Sequence, residues 1–213
     1  RLVTPLQTML HNPPLGRGVQ EHDQIKTMHG NAMRLLKLIN DLLELVRLES
    51  GSIKIHPKPV EIGDFVHGIA NAVGAMAKDK RITLSSHVTA DVGTVMTDPE
   101  KLERITLNLI FNALKFTAAN GRVDFNARTE DEWLVVDVKD TGMGIPADQL
   151  PHIFGRFWQA DTSSQRKFQG MGIGLGLVKE LAEAQGGSVS ATSEVGKGTT
   201  MTVRLPLTRP TAA

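Results

Sequence analysis

Between residues 25 and 46 apolar side chains recur at Ile25, Met28, Ala32, Leu35, Ile39, Leu42 and Val46, in steps of three and four. That spacing predicts a long helix with one apolar stripe, and Leu36, Leu43 and Leu45 widen the stripe toward the packing of a four-helix bundle. A helix packed on its own domain would carry the same stripe. Upstream, Asn12-Pro13-Pro14-Leu15-Gly16-Arg17-Gly18 breaks the pattern, so residues 1–11 read as the end of a first helix and the pair as an antiparallel hairpin. Ser50-Gly51-Ser52 closes the long helix, giving a hairpin domain at 1–51, a second domain at 52–208 and a tail at 209–213.

Beyond residue 52 the period shortens. Alternating or β-branched runs predict strands at Ile53–His56, Arg81–His87, Thr94–Thr97, Arg122–Arg128, Trp133–Lys139, Ser188–Thr192 and Thr199–Leu205, with helices near 62–78, 98–117 and 173–185. The strands cluster instead of alternating strictly with helices. An α+β fold follows: the helical hairpin, then an α/β sandwich with helices on one face of a mixed sheet.

The helix at 98–117 is apolar over most of its circumference yet carries a polar stripe. Asp98-Pro99 supplies an N-cap and a proline at the first helical position. At about 100° per residue, Leu102, Ile105, Leu109, Ala113 and Phe116 share one face, and Asn108, Asn112 and Lys115 fall together beside it. Such a stripe can face water. It can also floor a polar ligand site, where an amide oxygen ligates a hard cation and an ammonium meets phosphate.

Composition narrows the classes without choosing one. The chain has 213 residues, with 24 Lys and Arg against 23 Asp and Glu, and no basic block of the kind nucleic acid requires. There is no cysteine, hence no disulfide, thiolate metal site or cysteine nucleophile, which suits a reducing, cytoplasmic setting. No apolar run reaches the roughly 20 residues that span a bilayer, so no membrane contact is expected within these residues. Arg1-Leu2-Val3-Thr4-Pro5-Leu6 begins in mid-pattern without a cap, as a piece of a longer protein would, and a membrane anchor elsewhere in the parent is compatible with that.

Two glycine clusters bear on the polar stripe. Asp140-Thr141-Gly142-Met143-Gly144-Ile145-Pro146 follows a strongly β run and sets a carboxylate at a strand end, before backbone that can approach a flat ligand. Asp140 can accept a hydrogen bond from an exocyclic amine, which adenine has at its six position. Gly170, Gly172, Gly174 and Gly176 precede a helix and free the backbone to wrap an anion at its N-terminus. No strand leads into this cluster, Gly196-Lys197 is followed by Gly198 and not by Ser or Thr, and no HRD loop is present, so dinucleotide, P-loop and eukaryotic protein kinase folds fit poorly.

The order of segments is specific: the asparagine-bearing helix, the Asp-x-Gly-x-Gly strand end, His152-Ile153-Phe154-Gly155-Arg156-Phe157-Trp158-Gln159-Ala160-Asp161, a polar loop, the glycine cluster, a helix, then Val195-Gly196-Lys197-Gly198-Thr199-Thr200 and a last strand. The set resembles the catalytic core of bacterial sensor histidine kinases, within the ATPase superfamily shared with gyrase, the ninety-kilodalton heat-shock chaperones and MutL. The resemblance implies ATP and Mg²⁺ as ligands. Asn112 would ligate the metal, Asn108 and Lys115 would contact the triphosphate, and Asp140, Gly142, Gly144 and Ile145 would hold adenine. A lid would run from about Gln159 to Phe168 with Phe154 and Phe157 at its base, and Gly170, Gly172, Gly174, Leu175 and Gly176 would lie over the phosphates.

By the same resemblance the N-terminal hairpin is the dimerisation and histidine-phosphotransfer element, which implies a homodimer and a response regulator receiver domain as partners. Thr4-Pro5-Leu6 matches the end of the family's phosphoacceptor box, whose histidine would lie one position before Arg1. Arg1 stands where the family has an acidic residue and Val3 where it has Arg, which favours an alternative, a degenerate nucleotide-binding dimeric module without kinase activity. His11, His22 and His29 read as surface or bundle residues. The gyrase-type relatives carry a water-activating glutamate four residues before the first asparagine; Arg104 occupies that position, and Glu103 points about 100° away.

Overall fold

A computed structural model of the chain describes residues 54–159 and 172–210, together with Met28. The chain divides into two compact units, Arg1–Ser52 and Ile53–Ala213. The expected hairpin and its dimeric bundle lie outside the described residues, apart from Met28, which is helical and exposed.

In the second unit the elements run β1 (Lys58–Glu61), α1 (Ile62–Asp79), β2 (Thr83–Val88), β3 (Thr94–Thr97), α2 (Pro99–Phe116), β4 (Arg122–Glu130), β5 (Trp133–Asp140), a 3₁₀ turn (Leu150–His152), α3 (Gly174–Ala184), β6 (Ser188–Glu194) and β7 (Gly198–Pro206). Five strands form one sheet in the order β2-β4-β5-β7-β6, with β2 parallel to β4 and the other neighbours antiparallel. The sheet is therefore mixed, as expected. β1 and β3 pair separately in an antiparallel two-stranded sheet.

One strand falls later than its pattern suggested: residues 54–57 are irregular and pairing begins at Lys58. The backbone N–H of His56 is taken by the Asp98 carboxylate at 2.9 Å, and β3 offers partners only from Thr94 to Thr97, which Lys58–Glu61 occupy. Pro59 is tolerated because this is an edge strand. Arg81 likewise belongs to the turn after α1, at φ 57°, and not to β2.

Burial alternates along the sheet. Val123, Phe125 and Ala127 on β4, Leu134, Val136 and Val138 on β5, and Met201, Val203 and Leu205 on β7 are buried beneath the helices. α2 packs on β4 and β5 and touches both α1 and α3. Its Leu102, Ile105, Leu109, Ile110 and Leu114 are at most 1 % exposed, each stabilising the fold by about 1.5–3 kcal/mol relative to an exposed side chain. The opposite face is polar: Arg128 pairs with Asp137 and Glu130, and Arg204 with Glu130. Hydrogen bonds from Arg128 and then Arg204 hold the Glu130 carboxyl below the usual carboxylate range. Val135, directly opposite Arg128 on one side and Arg204 on the other, is nonetheless fully buried, and the register places it under their aliphatic stems.

Candidate nucleotide site

The covered face of the sheet turns polar at one end. Register places Val123, Asp140, Thr199 and Ser193 in a single row across β4, β5, β7 and β6, immediately beyond the apolar row Phe125, Val138, Met201 and Ala191. Three adjacent oxygen-bearing side chains thus stand where the strand pattern would otherwise continue the core. Asp140 is 8 % exposed, and its Oδ1 accepts the backbone N–H of Gly142 at 2.7 Å and of Thr199 at 3.3 Å. Oδ2 has no partner among the described residues. Burial raises the Asp140 carboxyl above its ordinary value, and the two backbone bonds oppose that rise only in part.

Glycine is required around this carboxylate for want of space. A Cβ on Gly142 would lie 2.6 Å from Phe116 O, and one on Gly144, at φ 71°, would lie 2.1 Å from Glu194 O. The Gly142–Ile145 loop is thereby pressed between the last turn of α2 and the β6–β7 hairpin. It is tied there by Ile145 N–H to Ser193 Oγ at 2.8 Å and Gly196 N–H to Met143 O at 2.8 Å.

α2 touches the second glycine segment as well. Asn108 donates its amide N–H to Arg104 O at 2.8 Å, leaving Oδ1 only 3.0 Å from where a Cβ on Gly174 would stand, at the start of α3. The polar stripe is therefore bracketed, with Gly174 beside Asn108 and Gly142 beside Phe116. Asn112 and Lys115 lie between those contacts along the helix and are half-buried. Lys115 Nζ sits 4.7 Å from the Phe116 ring centroid.

The segment before the expected lid is held to α3. Arg156 donates to Glu180 Oε1 at 3.2 Å through Nε and 2.7 Å through a terminal nitrogen. Phe157 is 60 % exposed and left-handed at φ 61°, and a Cβ on Gly172 would meet Trp158 O at 2.4 Å. Leu175 lies half-buried on the first turn of α3, and Gly176 packs near Phe154 O. Gly170 and nearly all of the expected lid fall outside the described residues. A hollow of about 540 Å³ between α1 and edge strand β2, bordered by Gly74, Lys78, Arg81 and Ser85, shares no residue with these motifs.

Thr199 and Ser193 were not singled out from sequence. Thr199 stood within the Gly-Lys-Gly-Thr segment and could have been found there, whereas Ser193 is visible only through strand register.

A mixed sheet covered on one face by helices, ending in a buried carboxylate beside glycine-lined backbone and an amide-bearing helix, defines an ATPase-type domain. The chain belongs to the family of histidine kinase-, DNA gyrase B- and HSP90-like ATPases, whose model matches residues 97–209. It is 34 % identical over 189 residues to the circadian input-output histidine kinase CikA of Synechococcus elongatus, covering 88 % of this chain and 25 % of that protein. Full-length ShkA, solved in complex with AMPPNP, superposes with a TM-score of 0.81 at 29 % identity, covering 99 % of this chain and 45 % of that one. The histidine kinase ThkA, solved with the response regulator protein TrrA, shares the fold at a TM-score of 0.67 and 15 % identity, covering 97 % of this chain and 57 % of ThkA's. The chain thus carries the ATPase domain of the sensor histidine kinase type and spans a quarter of CikA's length. Among the described residues no helix is long and apolar enough to cross a membrane.

Proposed function

We propose that this chain binds ATP with Mg²⁺ and serves as the catalytic core of a sensor histidine kinase in two-component signalling. The observation that carries the proposal is the row Asp140–Thr199–Ser193, which ends the covered sheet face beside a helix that touches one glycine segment through Asn108 and the other through the Phe116 carbonyl. Asp140 Oδ2 is the acceptor for the six-amino group of adenine. The tight backbone at Gly142 and Gly144 lets the flat base come close. Lys115 and Asn108 meet the triphosphate, with Gly172, Gly174 and Gly176 on its other side.

The donor set suits Mg²⁺. Among the described residues Asn112 is half-buried with no hydrogen-bond partner, and among the same residues no cluster of acidic or histidine side chains stands ready to hold a metal by itself. One amide oxygen together with phosphate oxygens and water is the kind of incomplete shell Mg²⁺ accepts. When bound, the metal would neutralise charge on the phosphates.

The reaction is an in-line displacement. By the family resemblance, an imidazole nitrogen of a phosphoacceptor histidine, which the box ending in Thr4-Pro5-Leu6 would place one position before Arg1, would bond to the γ-phosphorus as the bond to the bridging oxygen of ADP breaks, with the imidazole proton passing to water. The domain contributes positioning and electrostatic stabilisation. The phosphoryl group then passes to an aspartate of a response regulator receiver domain, and the hairpins of two chains form the bundle. These steps occur in the cytoplasm, with the parent protein free to be membrane-anchored.

Incubation of a chain extended upstream with γ-labelled ATP and Mg²⁺ tests this reading. Acid-labile, alkali-stable label on the histidine is expected, while the present residues bind ATP without labelling. No detectable ATP affinity refutes the proposal. Arg1 and Val3 favour a second reading, a nucleotide-binding dimeric module without kinase activity; ATP binding with no label on the extended chain would establish it.

A further inference from the structure

We infer that Ser193 is a specificity-determining positioning residue, whose hydroxyl sets both walls of the adenine pocket and so controls recognition of the six-amino group. The inference rests on the nucleotide-binding reading above. Ser193 Oγ accepts the Ile145 N–H at 2.8 Å and lies 2.9 Å from both Gly198 O and Thr199 Oγ1. A hydroxyl offers one proton and two lone pairs. Gly198 O can only accept, so it takes the Ser193 proton; the two lone pairs then receive Ile145 N–H and the Thr199 hydroxyl proton. All three contacts are satisfied in one arrangement, and each fixes a different part of the site.

Ile145 belongs to the loop that carries Gly142 and Gly144. Gly198 and Thr199 begin β7, and Thr199 N–H reaches Asp140 Oδ1 at 3.3 Å. At Gly198 the two walls meet most closely: a Cβ there would overlap Asp140 O. Ser193 itself lies too far along the row to replace Asp140 as the base acceptor, since Thr199 stands between them in register. It therefore acts through the carboxylate and the loop, holding Asp140 Oδ2 at the height where an amine can reach it. Losing the hydroxyl frees the loop from the hairpin and lets Thr199 shift against Asp140, which weakens the contact that distinguishes a six-amino purine from one without it.

The test compares ATP with purine riboside triphosphate, which lacks the six-amino group, by calorimetric titration in Mg²⁺. For Ser193→Ala the dissociation constant for ATP is expected to rise roughly five- to tenfold while that for the analogue changes less than about twofold. Ser193→Thr keeps the hydroxyl and restores the ratio. Thr199→Val, which leaves the Thr199 N–H and the Ile145 and Gly198 bonds in place, has the smaller effect. Should Ser193→Ala fail to fold, Ser193→Cys keeps the side-chain volume while weakening the bonds, and the ratio is read there.

A folded Ser193→Ala or Ser193→Cys protein with an unchanged ratio, or with equal losses for both nucleotides, overturns the inference while leaving ATP binding intact. A wild-type chain that binds neither nucleotide overturns the nucleotide reading and this inference together, whereas one that binds both equally overturns this inference and the role of Asp140 while leaving ATP binding intact.

Discussion

Replacing Asp140 with Asn tests its proposed base-binding role with almost no change of shape. Both backbone bonds to Asp140, from Gly142 at 2.7 Å and Thr199 at 3.3 Å, converge on Oδ1, so an asparagine turned with its carbonyl toward them keeps both. The amide nitrogen then falls at the position of Oδ2, where an acceptor becomes a donor facing the two N–H groups of the six-amino substituent. A hydrogen bond to a charged acceptor contributes about 1.5–3 kcal/mol, so ATP affinity is expected to fall roughly 10- to 150-fold. The unliganded protein should not suffer, because burial already disfavours the Asp140 charge and the substitution removes it. Titration calorimetry with ATP and with purine riboside triphosphate, beside thermal melting, separates the two effects. We expect ATP binding to drop to the level of the analogue at an undiminished Tm. ATP affinity within twofold of wild type, or equal losses for both nucleotides, would refute the assignment of Asp140.

Four further outcomes follow from the same geometry. Asn112→Asp would set a carboxylate beside the proposed phosphate position, and ATP affinity measured by titration in Mg²⁺ should fall about tenfold or more. Gly144→Ala meets left-handed backbone, worth about 1–2 kcal/mol by itself, and in addition places a methyl 2.1 Å from Glu194 O; Gly196→Ala shares the first penalty at φ 79° but meets nothing within 4 Å, so urea unfolding should find Gly144→Ala the more destabilised. ATP affinity should weaken as pH falls through the raised Asp140 value, because the free carboxyl then holds a proton. Stability has the opposite sign at this residue: the native carboxyl binds its proton more tightly than the unfolded one, so the Asp140 contribution declines as pH rises from the ordinary carboxylate value to the raised one and is flat above it. Melting at several pH values in Asp140→Asn against wild type isolates that contribution.

How much of the domain was legible depended on how local the cause was. Helix α2 could be read almost to the residue, because Asp98 caps Glu100 and Lys101, Pro99 occupies the first turn and the apolar face repeats without a break. The strands from Thr94 to Leu205 were legible for the same reason, since alternation follows from a sheet with one covered face. β1 was misplaced because its existence depends on β3, and nothing local says that Asp98 captures His56 while Lys58–Glu61 take the pairing. The separation of β1 and β3 from the five-stranded sheet is a non-local outcome of the same sort.

At the site, residue types suggested a chemistry: amides and an ammonium on a helix that is apolar over most of its circumference, and a carboxylate ahead of two glycines, are the kinds of group a polar ligand can use. Their arrangement was decided in three dimensions. Only strand register brings Ser193 and Thr199 beside Asp140, and only the packing of Phe116 against Gly142 and of Asn108 against Gly174 sets α2 between the two glycine segments. Periodicity and capping act over a few residues and leave their trace in the chain order. Register and close packing couple residues far apart in the chain, Trp133 with Pro206 and Asn108 with Gly174 among them, and exist only once the sheet and helices have packed.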